Sequence, residues 1–173
     1  DSSPKSVIVL NEFDKFQSEY RTHHSGVIFD DLCNGNPDKN DGNPLMKVIQ
    51  FINNAPQAAL NPNVEMKGNV MIVPRVVLAT TNVKELNAGT YSEEPLSIAR
   101  RFQVTITQSV KPKYCKPGTK MIDSSKVLKD FGNDPYPVFA LFDVEYAVIT
   151  PQQPSNKKLT YLPYKFEGKK LSQ

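Results

Sequence analysis

Three short apolar runs, each followed by polar residues, constrain most strongly what this chain can fold into. They are residues 7–10 (VIVL), residues 26–29 (GVIF) and residues 75–80 (RVVLAT). Short continuous runs of this kind are typical of strands that are buried on both faces of a parallel sheet. A chain of 173 residues is also long enough for one domain with its own core. We therefore predict an α/β fold around a parallel sheet.

Helix signals lie between and after these runs. Residues 11–25 are polar and suit either helix or loop. Asn43 as a cap and Pro44 in a first turn predict a helix that ends near Asn54. Its apolar face would carry Leu45, Val48, Ile49 and Ile52. A second short helix is expected from a cap at Ser92 to residue 99, with two acids in its first turn and two arginines at its end.

Turn chemistry predicts β-structure elsewhere in the chain. Residues 64–73 suit a hairpin with residues 67–69 (KGN) at its turn, and alternating apolar residues at 102–106 suit a half-buried strand. Residues 111–134 look loop-rich, whereas residues 138–149 and 159–166 suit two strands of a β-ribbon joined through residues 151–154. The expected division is a core at 1–107 and a basic loop with the ribbon, packed on the core, at 108–173.

Charge and cysteine content narrow the classes of function. Residues 1–100 hold 9 basic and 12 acidic side chains, whereas residues 101–173 hold 12 and 6, so the second part is the better candidate for contact with an anionic polymer. The two cysteines, Cys33 and Cys115, give neither a disulfide framework nor zinc spacing, and they fit a reducing compartment. No apolar run is long enough to span a bilayer.

Polar residues directly after the apolar runs are the main candidates for chemistry, because ligands of open parallel sheets bind at the carboxyl ends of the strands. Asp30 and Asp31 follow the second run, and Asn82 follows the third. An NTPase uses such carboxylates to hold magnesium and to orient the attacking water, and an amide there can contact a terminal phosphate. Two aspartates can equally begin an ordinary turn, and Asn82 can end an ordinary strand.

Other sites are less well supported. The acidic and Asn-rich residues 30–43 lack calcium-loop spacing. His23, His24, Cys33 and Cys115 match no cysteine-nucleophile signature. Arg100 and Arg101 suit either a helix end or an arginine finger, which offsets charge on a transferred phosphoryl group.

The order of these segments is more specific than any one of them. The chain places VIFDDL at 27–32, MKG at 66–68, VLATTN at 77–82 and ARRF at 99–102. This order resembles the superfamily 3 RNA helicases of picorna-like virus polyproteins, the 2C-like ATPases of the AAA+ type. The similarity covers about residues 7–107 and continues weakly through the basic tail.

The resemblance implies roles for individual residues. Asp30 and Asp31 resemble the Walker B acids, with Asp30 on the metal, and Asn82 resembles the motif C sensor. Lys67 would contact RNA from a hairpin in the pore of a ring, a hexamer by analogy with the family. Arg100 and Arg101 resemble fingers donated to the next subunit. The implied cofactors are ATP and Mg²⁺, and the implied setting is the host cytoplasm at membrane-associated viral replication complexes.

One departure from the family matters for activity. A Gly-x-x-x-x-Gly-Lys-Ser/Thr loop should precede the acids, and the sequence contains none. We therefore expect a partial P-loop core truncated at its amino end, inactive and weak in ATP binding by itself, with any membrane contact made by segments outside it. Two alternatives remain open: a catalytically silent RNA-binding or assembly module, and a cellular AAA+ remodelling ATPase that acts on proteins.

Overall fold

The computed structural model describes residues 6–39, 42–148, 159–166 and 169–170. The chain forms two compact units. The first unit comprises Asp1–Arg101 with Pro151–Leu159, and the second comprises Phe102–Thr150 with Thr160–Gln173. No helix among the described residues is both long enough and apolar enough to cross a membrane.

The first unit contains a parallel sheet, a two-stranded ribbon and short helices. Its elements are β1 (Val7–Leu10), β2 (Gly26–Phe29), α1 (Leu45–Phe51), β3 (Gln57–Ala58), β4 (Met71–Ile72), β5 (Val76–Ala79), α2 (Ala88–Tyr91) and α3 (Pro95–Ala99). The parallel sheet has the strand order β1-β2-β5, with Gly26 paired to Val7 on one side and to Val76 on the other. The predicted α/β class with a parallel sheet is therefore confirmed, as a partial P-loop-like arrangement.

The parallel sheet buries only one of its faces. Val27 and Phe29 are 1% exposed. On the opposite face, Val9 is 60% exposed and Leu78 is 56% exposed. The prediction of strands buried on both faces is thus wrong, because residues 11–25 form turns and loop and provide no helix for the second face.

The helix α1 supplies the core against the covered face. It buries Leu45, Val48 and Phe51, and the Phe51 ring meets those of Phe29 and Tyr20 edge-on at centroid distances of 5.7 and 5.1 Å. Each such side chain contributes about 1.5–3 kcal/mol by leaving water.

Both predicted helices differ from the structure at one end. The Asn43 side chain accepts the Leu45 amide, as its capping role requires, but α1 ends at Phe51 rather than near Asn54. Ile49 and Ile52, expected on the apolar face, are half-buried. Helix α3 begins at Pro95 rather than directly after Ser92, because the Ser92 hydroxyl binds Glu94 within a turn.

The predicted hairpin has different arms. β3 and β4 pair antiparallel, with Gln57 opposite Ile72, and residues 64–69 form the turn between them. Val64 is therefore a turn residue and not a strand residue, whereas residues 67–69 keep the predicted turn location.

The second unit is built on an antiparallel sheet. Its elements are β6 (Thr105–Val110), α4 (Ser124–Phe131), β7 (Ala140–Val148), β8 (Thr160–Pro163), β9 (Lys165–Phe166) and β10 (Lys169–Lys170). The strand order is β6-β7-β8, and β9 pairs with β10. The predicted ribbon is present as β7 and β8, extended by β6 to three strands, and its expected connection at 151–154 lies outside the described residues.

Two features of the second unit were not expected. Ile106 of β6 and Phe142 of β7 share an open face, where they are 63% and 40% exposed, so residues 102–106 do not form the half-buried strand that was predicted. Helix α4 lies in the segment expected to be loop. It begins where Asp123 accepts the amides of Ser125 and Lys126, and it ends at Gly132.

Candidate active site

The carboxyl ends of β2 and β5 bring the candidate acids and the candidate amide together. These two strands are parallel neighbours, with Phe29 paired to Ala79. Asp30 and Asp31 therefore leave the sheet beside the segment that carries Asn82. If Asp30 and Asn82 serve one site, they are expected at the ends of adjacent strands, and the pairing of β2 with β5 confirms that they are.

Thr80 joins the two strand ends through one hydroxyl. Its Oγ1 donates a hydrogen bond to Asp30 Oδ1 at 2.6 Å and accepts one from the Asp31 amide at 2.8 Å. The Thr80 carbonyl also accepts the Leu32 amide at 2.8 Å. The first acid is thus held by its side chain and the second by its backbone.

Asn82 contacts the second acid directly. Its Nδ2 donates to Asp31 Oδ1 at 3.2 Å, and Asn34 donates to Asp31 Oδ2 at 2.9 Å. Among the described residues, no donor binds the second carboxylate oxygen of Asp30. Both acids are exposed. The site therefore presents a fixed Asp31 and an Asp30 with one oxygen open to a ligand.

The loop after β2 is held in an unusual backbone conformation. Asp31 and Cys33 have φ angles of 55° and 58°, in the left-handed region that residues with a side chain seldom adopt. Glu12 Oε2 accepts the Cys33 amide at 2.7 Å, and Asn87 Nδ2 donates to the Cys33 carbonyl at 3.1 Å. Burial raises the pKa of the Glu12 carboxyl, and burial raises the pKa of the Cys33 thiol to about 12.

The chemistry of the pair fits magnesium. Mg²⁺ prefers oxygen ligands and commonly uses one or two carboxylates, with water and substrate phosphates completing its shell. Asp30 supplies such an oxygen and Asp31 lies next to it. No group of three or more His, Cys, Asp and Glu side chains clusters for a metal in the part of the chain that the structure describes.

The two arginines after α3 differ in their surroundings. Arg101 Nε donates to the Ile52 carbonyl at 3.1 Å, and its guanidinium also donates to the Ser97 carbonyl. Arg100 is exposed, and its side chain makes no hydrogen bond or ion pair to any described residue. A role as fingers stays a prediction for both, but only Arg100 is free to leave the surface of its own unit.

Lys67 lies in the exposed turn between β3 and β4. Its amide binds the carbonyl of Asn63 at 3.0 Å, and Gly68 follows with φ 80°. A left-handed residue at that position favours glycine because no Cβ interferes. The turn thus presents the lysine to solvent, and its contact with RNA stays a prediction.

Sequence reasoning missed Thr80, Glu12 and Asn87 as parts of this site. The signal for Thr80 was available, because a hydroxyl directly after a strand can bridge to the neighbouring strand end. Glu12 and Asn87 bind Cys33 from 21 and 54 positions away. No local pattern in the sequence marks contacts of that span.

A comparison with known protein families gives a match in the part of the chain that contains this site. Residues 1–83 match the family model described as RNA helicase, which is just under half of the 173 residues. The matched region contains the acids, Lys67, Thr80 and Asn82. No curated protein matches the chain significantly. The amino-terminal part of the chain is therefore similar to RNA helicases.

Proposed function

We propose that this chain is part of a viral superfamily 3 RNA helicase that hydrolyses ATP with magnesium to remodel or unwind RNA during genome replication. The observation that carries the proposal is the network that joins Asp30, Thr80, Asp31 and Asn82 across two parallel strand ends. Its position in the sheet is where such folds bind nucleotides. The match of residues 1–83 to RNA helicases supports the choice of polymer.

Each residue of the network has a role that its contacts allow. Bound magnesium-ATP would supply a polarised terminal phosphoryl group. Asp30 would hold the metal, because its contact with Thr80 leaves one carboxylate oxygen open to a ligand. Asp31 would orient the attacking water, and Asn82, which donates a hydrogen bond to Asp31, would contact the terminal phosphate. Lys67 contacts the RNA backbone from its turn.

The first experiment replaces Asp30 by asparagine in the full-length protein. Asp30→Asn keeps the volume and removes a charged metal ligand, so we expect magnesium-dependent ATP turnover to fall by at least about a hundredfold, with nucleotide binding retained. Glu19→Gln, which neutralises an exposed acid outside the network, is the matched control. Near-normal turnover in Asp30→Asn would reject the role of Asp30 as a metal ligand. If protein, and not single-stranded RNA, stimulates ATP turnover of the unaltered full-length protein, a cellular remodelling ATPase is favoured.

The second experiment separates the two arginines. We expect Arg100→Ala to abolish turnover without loss of thermal stability, because a finger for a neighbouring subunit must be free. Mixing it with Asp30→Asn protein should restore part of the turnover at mixed interfaces. Arg101→Ala should instead lower the thermal midpoint, because it removes two hydrogen bonds to carbonyl groups. A dead mixture of co-assembled subunits would argue against Arg100 as a finger.

The second candidate function is a catalytically silent module that binds RNA or assists assembly. The excess of 12 basic over 6 acidic side chains in residues 101–173 favours it. Such a module would bind RNA with the usual dependence on salt but would not hydrolyse ATP in its full-length form. Measuring RNA-stimulated ATP turnover of the full-length protein decides between the two functions.

A further inference from the structure

The acidic turn after β2 is held by side chains that the proposed reaction does not use. Left-handed backbone costs most residues with a Cβ about 1–2 kcal/mol, and Cys33 adopts it, as does Asp31, whose short polar side chain tolerates it better. Such a conformation persists only where the surrounding structure holds it in place. The turn is therefore expected to relax if its external contacts are removed.

The backbone of Cys33 receives one such contact at its amide and one at its carbonyl. Glu12, which is 8% exposed, accepts its amide at 2.7 Å. Asn87 donates to its carbonyl at 3.1 Å. Lys47 Nζ in turn donates to the carbonyl of Asn11 at 2.8 Å, which fixes the chain next to Glu12. Two residues that are distant in the sequence thus hold the backbone of Cys33 in this turn.

We propose that Glu12 and Asn87 are positioning residues for the acidic site and act through the backbone groups of Cys33. This inference rests on the proposed function, because it assigns them to the orientation of Asp30 and Asp31 toward metal and water. Cys33 lies two positions after Asp31, so a shift of its backbone turns the Asp31 carboxylate away from Asn82. Glu12 acts as a hydrogen-bond acceptor and not as a catalytic base.

The experiment measures metal affinity in the full-length protein, by Mn²⁺ binding in electron paramagnetic resonance and by the Mg²⁺ dependence of turnover. We expect Glu12→Ala to weaken Mn²⁺ binding and to raise the half-saturating Mg²⁺ concentration about tenfold, the scale on which outer contacts of a metal site act. The KM for ATP should stay unchanged. Glu12→Gln keeps an acceptor oxygen and should restore most of the affinity.

Asn87 provides a second route if Glu12→Ala fails to fold. Asn87→Ala should weaken the metal in the same way, and Asn53→Ala, which alters an exposed asparagine outside the site, should not. The double variant Glu12→Ala with Asn87→Ala should lose less than the sum of the single losses, because both act on one residue.

The possible outcomes separate a failure of the positioning role from a failure of the proposed function on which it rests. Folded Glu12→Ala and Asn87→Ala proteins with normal metal affinity would overturn the positioning role, as would a Glu12→Gln variant as weak as Glu12→Ala. In both cases Asp30→Asn would still lose metal and turnover. If Asp30→Asn itself binds Mn²⁺ and hydrolyses ATP normally, the proposed function fails instead.

Discussion

The two units differ sharply in how much apolar surface they bury. The first unit has a dense core, whose largest fully buried side chains include Tyr20, Phe29, Leu45 and Ile98. Among the described residues of the second unit, only Tyr114 and Ala140 are buried hydrophobic residues. Burial of apolar surface is the main favourable term in folding. Stability is therefore expected to be concentrated in the unit that carries the acidic site.

The two units also differ in strand direction, and this difference explains why the candidate site residues lie together in the first unit. In the first unit, parallel strands end at one edge, so the residues after β2 and β5 meet. In the second unit, β6, β7 and β8 are antiparallel, and their carboxyl ends alternate between edges. A parallel sheet thus collects functional side chains from distant positions, which an antiparallel sheet of the same size does not do.

Removing one aromatic ring from each unit tests the difference in burial most strongly. Phe29→Ala should lower the free energy of unfolding by about 3–5 kcal/mol, because it leaves a cavity in the core. Phe142→Ala on the open face of β7 should cost about 1 kcal/mol or less. Urea unfolding, followed with amide exchange in each unit, measures both. Equal losses would show that the second unit hides a core of similar weight.

A second test concerns the open face of the parallel sheet. Exposed contiguous apolar surface promotes association, so the chain by itself should self-associate. Val9→Thr with Leu78→Thr should weaken that association about tenfold, given about 0.8 kcal/mol for each CH₂ group withdrawn from contact. Val64→Thr, in the exposed turn, is the control. Sedimentation velocity measures the association constant. An unchanged association constant in the double variant would place the association on the sheet of the second unit.

A third test concerns the proposed contact with RNA, for which only a small effect is expected. Lys67→Ala should reduce the slope of log affinity against log salt by about 0.7, the value for one phosphate of a single strand. Lys120→Ala, in the second unit, should leave the slope unchanged. Fluorescence anisotropy with the full-length protein, under conditions in which it has assembled, measures both slopes. The reverse result would move the RNA contact to the basic second unit.

The sequence predicted the site better than it predicted the surroundings of the site. Three strands and the position of Asp30 and Asn82 at the ends of adjacent strands followed from short runs and from the geometry of parallel sheets, whereas the contact between Asp31 and Asn82 did not. The open faces did not follow, because an apolar run is the same whether one face or both are covered. The contacts of Glu12 and Asn87 join distant positions, and only the folded chain brings them together.

Some errors came from local signals that were present and given too little weight. Asp123 before α4 and Gly132 after it are ordinary helix boundaries, yet their segment was expected to be loop. Ser92 was taken as a helix cap, although Pro95 is a stronger start because its missing amide costs nothing in a first turn. The internal contacts of Arg101 had no signal in the sequence at all.

The two hydrogen bonds of the Thr80 hydroxyl restrict which residue types can function at this position. One hydroxyl donates to Asp30 and accepts from the Asp31 amide. Serine offers the same two functions with less strand preference, whereas valine has the right shape and offers neither. Related sequences that keep both acids should therefore carry threonine or serine here. A chain with valine at this place has lost the coupling between its acids, even if both aspartates remain.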